Sequence, residues 1–190
     1  GDVTVRDAHT TTFTGKVTAD NYLQSAGTTT SFATAFDIGT ETSDSFDFTG
    51  MTLTLNGTGT NSVAGSMEVS NAGTFTTADD AHLNIGTEFV QNGSGSSSIG
   101  GNITSVNDGI SFATAVTLNG TDGETISFQT GEGSGDDILL SNNLSSNANE
   151  DILFDAGTLG NISVTGTTNV GTGDVTVRDA HTTTFTGKVT

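Results

Sequence analysis

The chain has 190 residues and a mass of 19.2 kDa, and 22 acidic residues against four Lys and Arg give a formal net charge of −18. Four cations cannot neutralise a phosphate track, so a basic nucleic-acid interface is excluded. No apolar run approaches the roughly 18 residues of a membrane-spanning helix, and the absence of cysteine excludes disulfides and cysteine-based metal sites.

Short stretches of alternating apolar and polar residues recur along the chain. Each places two apolar residues two positions apart, and several close on Asn-Gly or Thr-Gly. Such alternation predicts short β-strands, and no window has the spacing of an amphipathic helix. In chain order, the apolar pairs are Val3/Val5, Phe46/Phe48, Leu53/Leu55, Met67/Val69, Leu83/Ile85, Ile110/Phe112, Val116/Leu118, Ile126/Phe128, Ile152/Phe154 and Ile162/Val164. We therefore predict an essentially all-β protein.

Thr, Ser, Asn and Gly together make up 98 of the 190 residues. An acidic chain rich in small polar residues is also typical of disorder. The 11 Phe and the 32% hydrophobic residues are more than a solvating tail carries, so they favour a folded core.

Residues 1–18 and 173–190 have the same sequence, GDVTVRDAHTTTFTGKVT, at an offset of 172. This identity predicts a tandem array in which residues 1–172 form one complete repeat and residues 173–190 begin the next. The charges of residues 173–190 sum to zero, so each repeat carries the full −18. A shorter similarity relates residues 31–36 (SFATAF) to residues 111–116 (SFATAV) at an offset of 80.

Two all-β architectures compete, a string of β-sandwich domains and a β-solenoid. A sandwich needs longer strands and a thick core, commonly with Trp, whereas these strands offer two inward residues each and the chain has no Trp. Stacked coils need only a narrow core, because each inward residue packs on its equivalents above and below. Comparable strands recur roughly every 20 to 26 residues, so we predict a parallel β-solenoid of about seven to eight coils per repeat. At about 4.8 Å per coil, one repeat would be roughly 35 Å long, and each repeat would cap the next.

The inward positions of this solenoid define the predicted structural core. Its predicted residues are Val3, Val5, Phe13, Phe32, Phe48, Leu55, Phe75, Ile85, Phe112, Leu118, Phe128, Ile138, Phe154, Ile162 and Val164.

The sequence offers little support for catalysis. His9, its copy His181, and His82 are the only histidines, and no serine lies in a Gly-x-Ser-x-Gly turn. We predict no catalytic residues, no cofactor and no enzymatic activity.

Calcium is the one ion that the sequence suggests. Residues 133–139 (GSGDDIL) fit the core of a calcium-binding nonapeptide repeat, with Asp136 and Asp137 as the candidate ligands. The next nine residues do not repeat the motif, so we expect weak or diffuse binding. Diffuse association of divalent cations with the acidic surface is also expected, and such ions could bridge neighbouring fibres.

Three stretches carry a family resemblance: residues 19–38 (ADNYLQSAGTTTSFATAFDI), 108–120 (DGISFATAVTLNG) and 151–166 (DILFDAGTLGNISVTG). They resemble the β-strand repeats of giant bacterial surface proteins of the filamentous-haemagglutinin-like type. The resemblance implies a right-handed β-helix in a very long secreted or cell-surface polypeptide that acts as an adhesin or fibre.

The sequence therefore predicts a structural repeat of a long extracellular fibre, whose partners are adjacent copies of the same repeat. The alternative is an adhesin module that binds surface glycans or partner cells. That alternative calls for a patch of exposed aromatic residues, and Tyr22 is the only tyrosine.

Overall fold

A computed structural model describes all 190 residues. The chain forms 25 short β-strands and no helix. Every third strand belongs to the same sheet, so the strands form three sheets, here called A, B and C.

Sheet A has nine strands, in the order of the chain. They are β1 (Val3–Val5), β4 (Tyr22–Gln24), β7 (Ser45–Gly50), β10 (Ser66–Asn71), β13 (Phe89–Gln91), β16 (Ile110–Phe112), β19 (Ile138–Leu140), β22 (Asn161–Val164) and β25 (Thr182–Phe185).

Sheets B and C have eight strands each. Sheet B contains β2 (Thr10–Phe13), β5 (Thr29–Phe32), β8 (Thr52–Leu55), β11 (Phe75–Thr77), β14 (Ser97–Ile99), β17 (Val116–Leu118), β20 (Leu144–Ser146) and β23 (Thr168–Asn169). Sheet C contains β3 (Thr18–Ala19), β6 (Asp37–Ile38), β9 (Gly59–Val63), β12 (Ala81–Ile85), β15 (Ile103–Ser105), β18 (Thr125–Gln129), β21 (Asp151–Asp155) and β24 (Val175–Asp179).

Three consecutive strands make one coil, and each strand pairs in parallel with the equivalent strand of the next coil. Coil 1 begins at β1, coil 8 begins at β22, and β25 opens a ninth coil. The predicted all-β parallel solenoid and its number of coils are confirmed.

Coil length varies more than the sequence predicts. Paired residues of sheet A are 19 positions apart between Val3 and Tyr22, but 28 apart between Ile110 and Ile138. The long coil contains the segment 130–137, a connection of eight residues from β18 to β19. Length varies in the connections because they face solvent, whereas the strands must keep register with their neighbours.

Inward side chains from all three sheets form one continuous apolar core of 33 buried residues. Twelve residues of the predicted structural core are buried, and Val3, Val5 and Phe13 are partly buried and pack against it. A column of phenylalanines follows the axis through coils 4 to 9, with ring centroids 5.1 to 6.3 Å apart. This column contains Phe75, Phe89, Phe112, Phe128, Phe154 and Phe185.

A second group of aromatic rings fills coils 1 to 3. Tyr22 stacks on Phe46 with ring centroids 4.5 Å apart, and Phe36 packs against Phe46 at 5.0 Å. Tyr22 is fully buried, and its hydroxyl donates to the Gln24 side-chain oxygen at 2.6 Å. Burial raises the pKa of the Tyr22 hydroxyl well above its usual range. The only tyrosine therefore belongs to the core.

Candidate functional site

The first candidate site is the place where the repeated sequence continues the solenoid. Strand β24 pairs with β21 in sheet C, and β25 pairs with β22 in sheet A. In sheet B the chain continues through a bridge between Val189 and Thr168. The second copy of the 18-residue sequence therefore extends all three sheets.

Backbone hydrogen bonds hold this junction on every side. The Ile152 N–H donates to the Asp174 carbonyl at 2.9 Å, and the His181 N–H donates to the Gly160 carbonyl at 2.7 Å. On sheet B, the Thr168 N–H donates to the Lys188 carbonyl at 2.8 Å. These distances match those of ordinary β-ladders, so the junction is held in the same way as the rest of the solenoid.

Side chains also pack across the junction. Phe185 packs against Phe154 at 6.3 Å between ring centroids and adds the last ring of the column. The Arg178 guanidinium lies 3.2 Å from the Asp155 carboxylate. Arg178 is the copy of Arg6, so one of the chain's four Lys and Arg residues lies at this junction.

The acidic residues lie mainly on the outside, and Asp136 and Glu150 are the only buried ones. Several carboxylates accept backbone N–H groups within tight turns. Asp44 accepts from Thr40 at 2.8 Å and from Glu41 at 3.0 Å, and these hydrogen bonds lower the pKa of the Asp44 carboxyl. Carboxylates thus satisfy turn N–H groups that sheet pairing leaves free.

The structure brings three carboxylates together at the corner between sheets B and C. One carboxylate oxygen from each of Asp79, Asp80 and Glu124 lies within 4.8 Å of the other two. Asp79 belongs to coil 4 and Glu124 to coil 6, and the corner of coil 5 between them is Gly100-Gly101. Because glycine has no side chain, the Thr121 hydroxyl reaches across coil 5 and donates to Asp79 at 2.7 Å. Asp79 and Asp80 are adjacent in the sequence, but Glu124 lies more than 40 residues further on, so sequence spacing gave no signal that it joins them.

Asp136 and Asp137, the predicted calcium ligands, have separate hydrogen-bond partners. Asp136 accepts the Gly133 N–H at 2.7 Å within its own turn. Asp137 accepts the Asn161 backbone N–H at 2.7 Å and the Asn161 side-chain amide at 2.9 Å. Calcium binding by these two residues stays a prediction.

The histidines lie apart from one another in the solenoid. His9 and His181 are exposed. The His82 side-chain Nδ1 accepts the Asn102 N–H at 3.0 Å, a contact between coils 4 and 5. His82 therefore has a structural hydrogen bond within the stack.

An open groove of about 450 Å³ crosses the corner between sheets A and B in coils 2 to 5. Its lining is mostly small residues, among them Gly27, Gly50 and Ser94, and it contains no charged side chain. Met51, also in the lining, is 51% exposed.

The structure contains no helix with the length and hydropathy of a membrane span. No protein-family model, curated protein or solved structure matches the chain. The fold defines the class of the protein, a three-sheet parallel β-solenoid. The filamentous-haemagglutinin-like relationship and the right-handed winding stay predictions.

Proposed function

We propose that the chain is a structural unit of a long extracellular fibre, in which repeats of 172 residues follow one another in tandem. The observation that carries this proposal is the junction at residues 173–190. A copy of the first 18 residues adds strands in parallel to the end of the preceding repeat, with ordinary backbone hydrogen bonds and a continuous apolar core.

The role we propose is mechanical rather than catalytic. Stiffness comes from the parallel ladders, since every coil is hydrogen-bonded to the next along three sheets. One apolar core of 33 buried residues runs along the solenoid, so the fibre gains apolar burial with each added coil. The extracellular location and the absence of enzymatic activity are part of the proposal.

The acidic surface gives the fibre a defined relation to its neighbours. Each repeat carries −18 over roughly 37 Å of axis, calculated from 7⅔ coils at about 4.8 Å each. Charges at this spacing lie well within a Debye length of about 8 Å, so like-charged fibres repel. We propose that divalent cations associate with this surface and reduce the repulsion.

Concatemers of one, two and four repeats test the proposal. Electron microscopy should show single rods that lengthen by about 37 Å per repeat, with constant width. Compact beads on a string, or particles whose length does not grow with repeat number, would contradict a continuous solenoid.

The cation part has its own test. Light scattering of the four-repeat rods should rise more on addition of CaCl₂ than of NaCl at equal ionic strength. The D136N/D137N variant separates a specific site from diffuse association. If calcium promotes bundling through the overall charge, this variant should bundle like the parent chain, whereas complete loss would place the effect at these two residues.

A further inference from the structure

The two copies of the 18-residue sequence lie on different sheets. Val3–Val5 forms β1 of sheet A, whereas its copy lies in β24 (Val175–Asp179) of sheet C. Likewise, Thr10–Phe13 forms β2 of sheet B, and its copy Thr182–Phe185 forms β25 of sheet A. Each of the three sheets forms one face of the solenoid. The second copy of the sequence therefore lies one face away from the first copy around the axis.

This displacement follows from the number of strands in a repeat. Strand β24 comes 23 strands after β1, which is seven complete coils of three strands and two further strands. A repeat of 172 residues therefore winds 7⅔ times around the axis. A whole number of coils would have returned Val175 to sheet A.

A second pair of similar sequences shows the same displacement. Residues 31–36 and 111–116 share SFATA, with Phe32 at the end of β5 in sheet B and Phe112 at the end of β16 in sheet A. Strand β16 comes 11 strands after β5, or three coils and two strands, so the shift has the same size and direction. Both phenylalanines are buried, at 1% and 0% exposed.

The same sequence can form a strand on any of the three sheets, because all three sheets place the same requirement on their strands. Each strand needs an inward residue that fills the core and an outward residue that tolerates solvent. Val3 and its copy Val175 are both partly buried and pack against the core, although one belongs to sheet A and the other to sheet C. The sheets thus differ in position, and a strand from one satisfies the requirements of another.

We propose that successive repeats of the fibre are rotated by one face, so that the same surface points in three directions in turn. This inference rests on the proposed tandem fibre. Three repeats, or 516 residues in 23 coils, restore the original face after about 110 Å of axis at about 4.8 Å per coil. Any outward feature, such as the corner with Asp79, Asp80 and Glu124, recurs on each corner of the fibre in succession.

Engineered cysteine pairs test the face placement in the 190-residue chain, which has no native cysteine. Ser163 and Thr184 are paired residues of sheet A, and neighbouring strands bring Cα atoms within disulfide range. The S163C/T184C variant should therefore form a cross-link under mild oxidation. The N169C/T184C variant should not, because Asn169 belongs to β23 of sheet B. Cross-linking of the second pair in place of the first would overturn the inference, since it would place the copy of β2 back on sheet B.

A three-repeat chain tests the rotation itself. The S134C substitution adds one exposed cysteine per repeat, which can carry a gold label. Cryo-electron microscopy should resolve the three sheets and show labels on three different corners, spaced about 37 Å apart along the axis. Labels on one corner of an intact rod would overturn the rotation and leave the fibre proposal standing. Failure to form a rod would count against the fibre, while the cysteine pairs would still decide the face placement.

Discussion

Glu124 and Glu150 occupy the same position in successive coils, yet the pKa of the Glu124 carboxyl is raised and that of the Glu150 carboxyl is lowered. Glu124 directly precedes Thr125, Glu150 directly precedes Asp151, and Thr125 and Asp151 are paired residues of sheet C. The Asp151 N–H donates to the Glu124 carbonyl at 2.8 Å. The preceding residue is left-handed in both turns, with φ of 74° at Gly123 and 59° at Asn149. The turns differ in length, because Thr125 follows Leu118 by seven positions whereas their paired residues Ser146 and Asp151 are five positions apart. The surroundings of the two side chains differ as well.

At Glu150, hydrogen-bond donors converge on one carboxylate oxygen, Oε2, while Oε1 is buried without a partner. Burial alone would raise the pKa, but the Ser146 hydroxyl and the N–H groups of Ala148 and Asn147 donate to one oxygen, and the pKa is lowered overall.

At Glu124, one backbone N–H donates, from Thr121 at 2.9 Å, and two carboxylates lie nearby. Burial is the largest cause and raises the pKa of Glu124, and Asp79 and Asp80 raise it further. The two corners thus differ in the source of their electrostatics, since donors of its own turn hold Glu150, whereas Glu124 faces Asp79 and Asp80 of coil 4.

We expect the largest effect from a substitution that disrupts the apolar core beneath both corners. Phe128→Asp places a carboxylate in the phenylalanine column between Phe112 and Phe154. The loss of the ring costs about 3–5 kcal/mol, and an unpaired buried charge costs more. We expect the far-UV circular dichroism signal for β-structure to be lost. Leu139→Asp is the control, because Leu139 points outward and is 41% exposed. A folded F128D chain would show that the column is not required.

The next effect concerns coil 5, which lies between the corner with Asp79 and Asp80 and the corner with Glu124. A Cβ added to Gly101 would lie 2.5 Å from the Ala81 carbonyl oxygen, which is backbone and cannot move aside. We expect Gly101→Ala to lower the free energy of unfolding by about 1–3 kcal/mol, measured by urea titration. Gly15→Ala is the matched control, since a Cβ there has no neighbour within 4 Å. Equal midpoints for the two variants would argue against close backbone stacking at this corner.

The sequence predicts the strands far better than the corners. Pairs such as Ile126/Phe128 and Ile152/Phe154 alternate clearly, because one side of each strand must face the core. The same period places Gln91 inward two positions after Phe89, so this buried glutamine could have been predicted.

The sheet to which each strand belongs could not be predicted from this alternation. It depends on counting all strands, and Thr168–Asn169 has no apolar pair to reveal it. Contacts such as that between Thr121 and Asp79 depend on which corners stack, which local alternation does not determine.

A smaller effect is expected at Glu150. Glu150→Gln keeps the shape but removes the charge from a carboxylate that accepts several hydrogen bonds, so we expect a loss of about 1–2 kcal/mol at pH 7. The lowered pKa stabilises the folded state above the usual carboxyl value of 4.5, and this contribution disappears as the pH falls through the folded-state pKa. Urea titrations of the variant and parent should therefore converge at low pH. Glu88→Gln, at an exposed position, controls for the change in net charge.

The smallest effect has the opposite sign and is expected at Glu124. Because its pKa is raised, the folded state holds the Glu124 proton more tightly than the unfolded state, so ionisation at neutral pH costs stability. Glu124→Gln removes that cost, and its urea midpoint should exceed that of the parent at pH 7. The advantage should vanish as the pH falls below 4.5, where the protonated carboxyl contributes its full stabilisation. Asp79→Asn should also raise the midpoint, since it removes a neighbouring carboxylate while leaving Glu124 in place. A lower midpoint for E124Q at pH 7 would show that hydrogen bonding from Thr121 outweighs burial and repulsion, and the contrast with Glu150 would then be one of degree rather than sign.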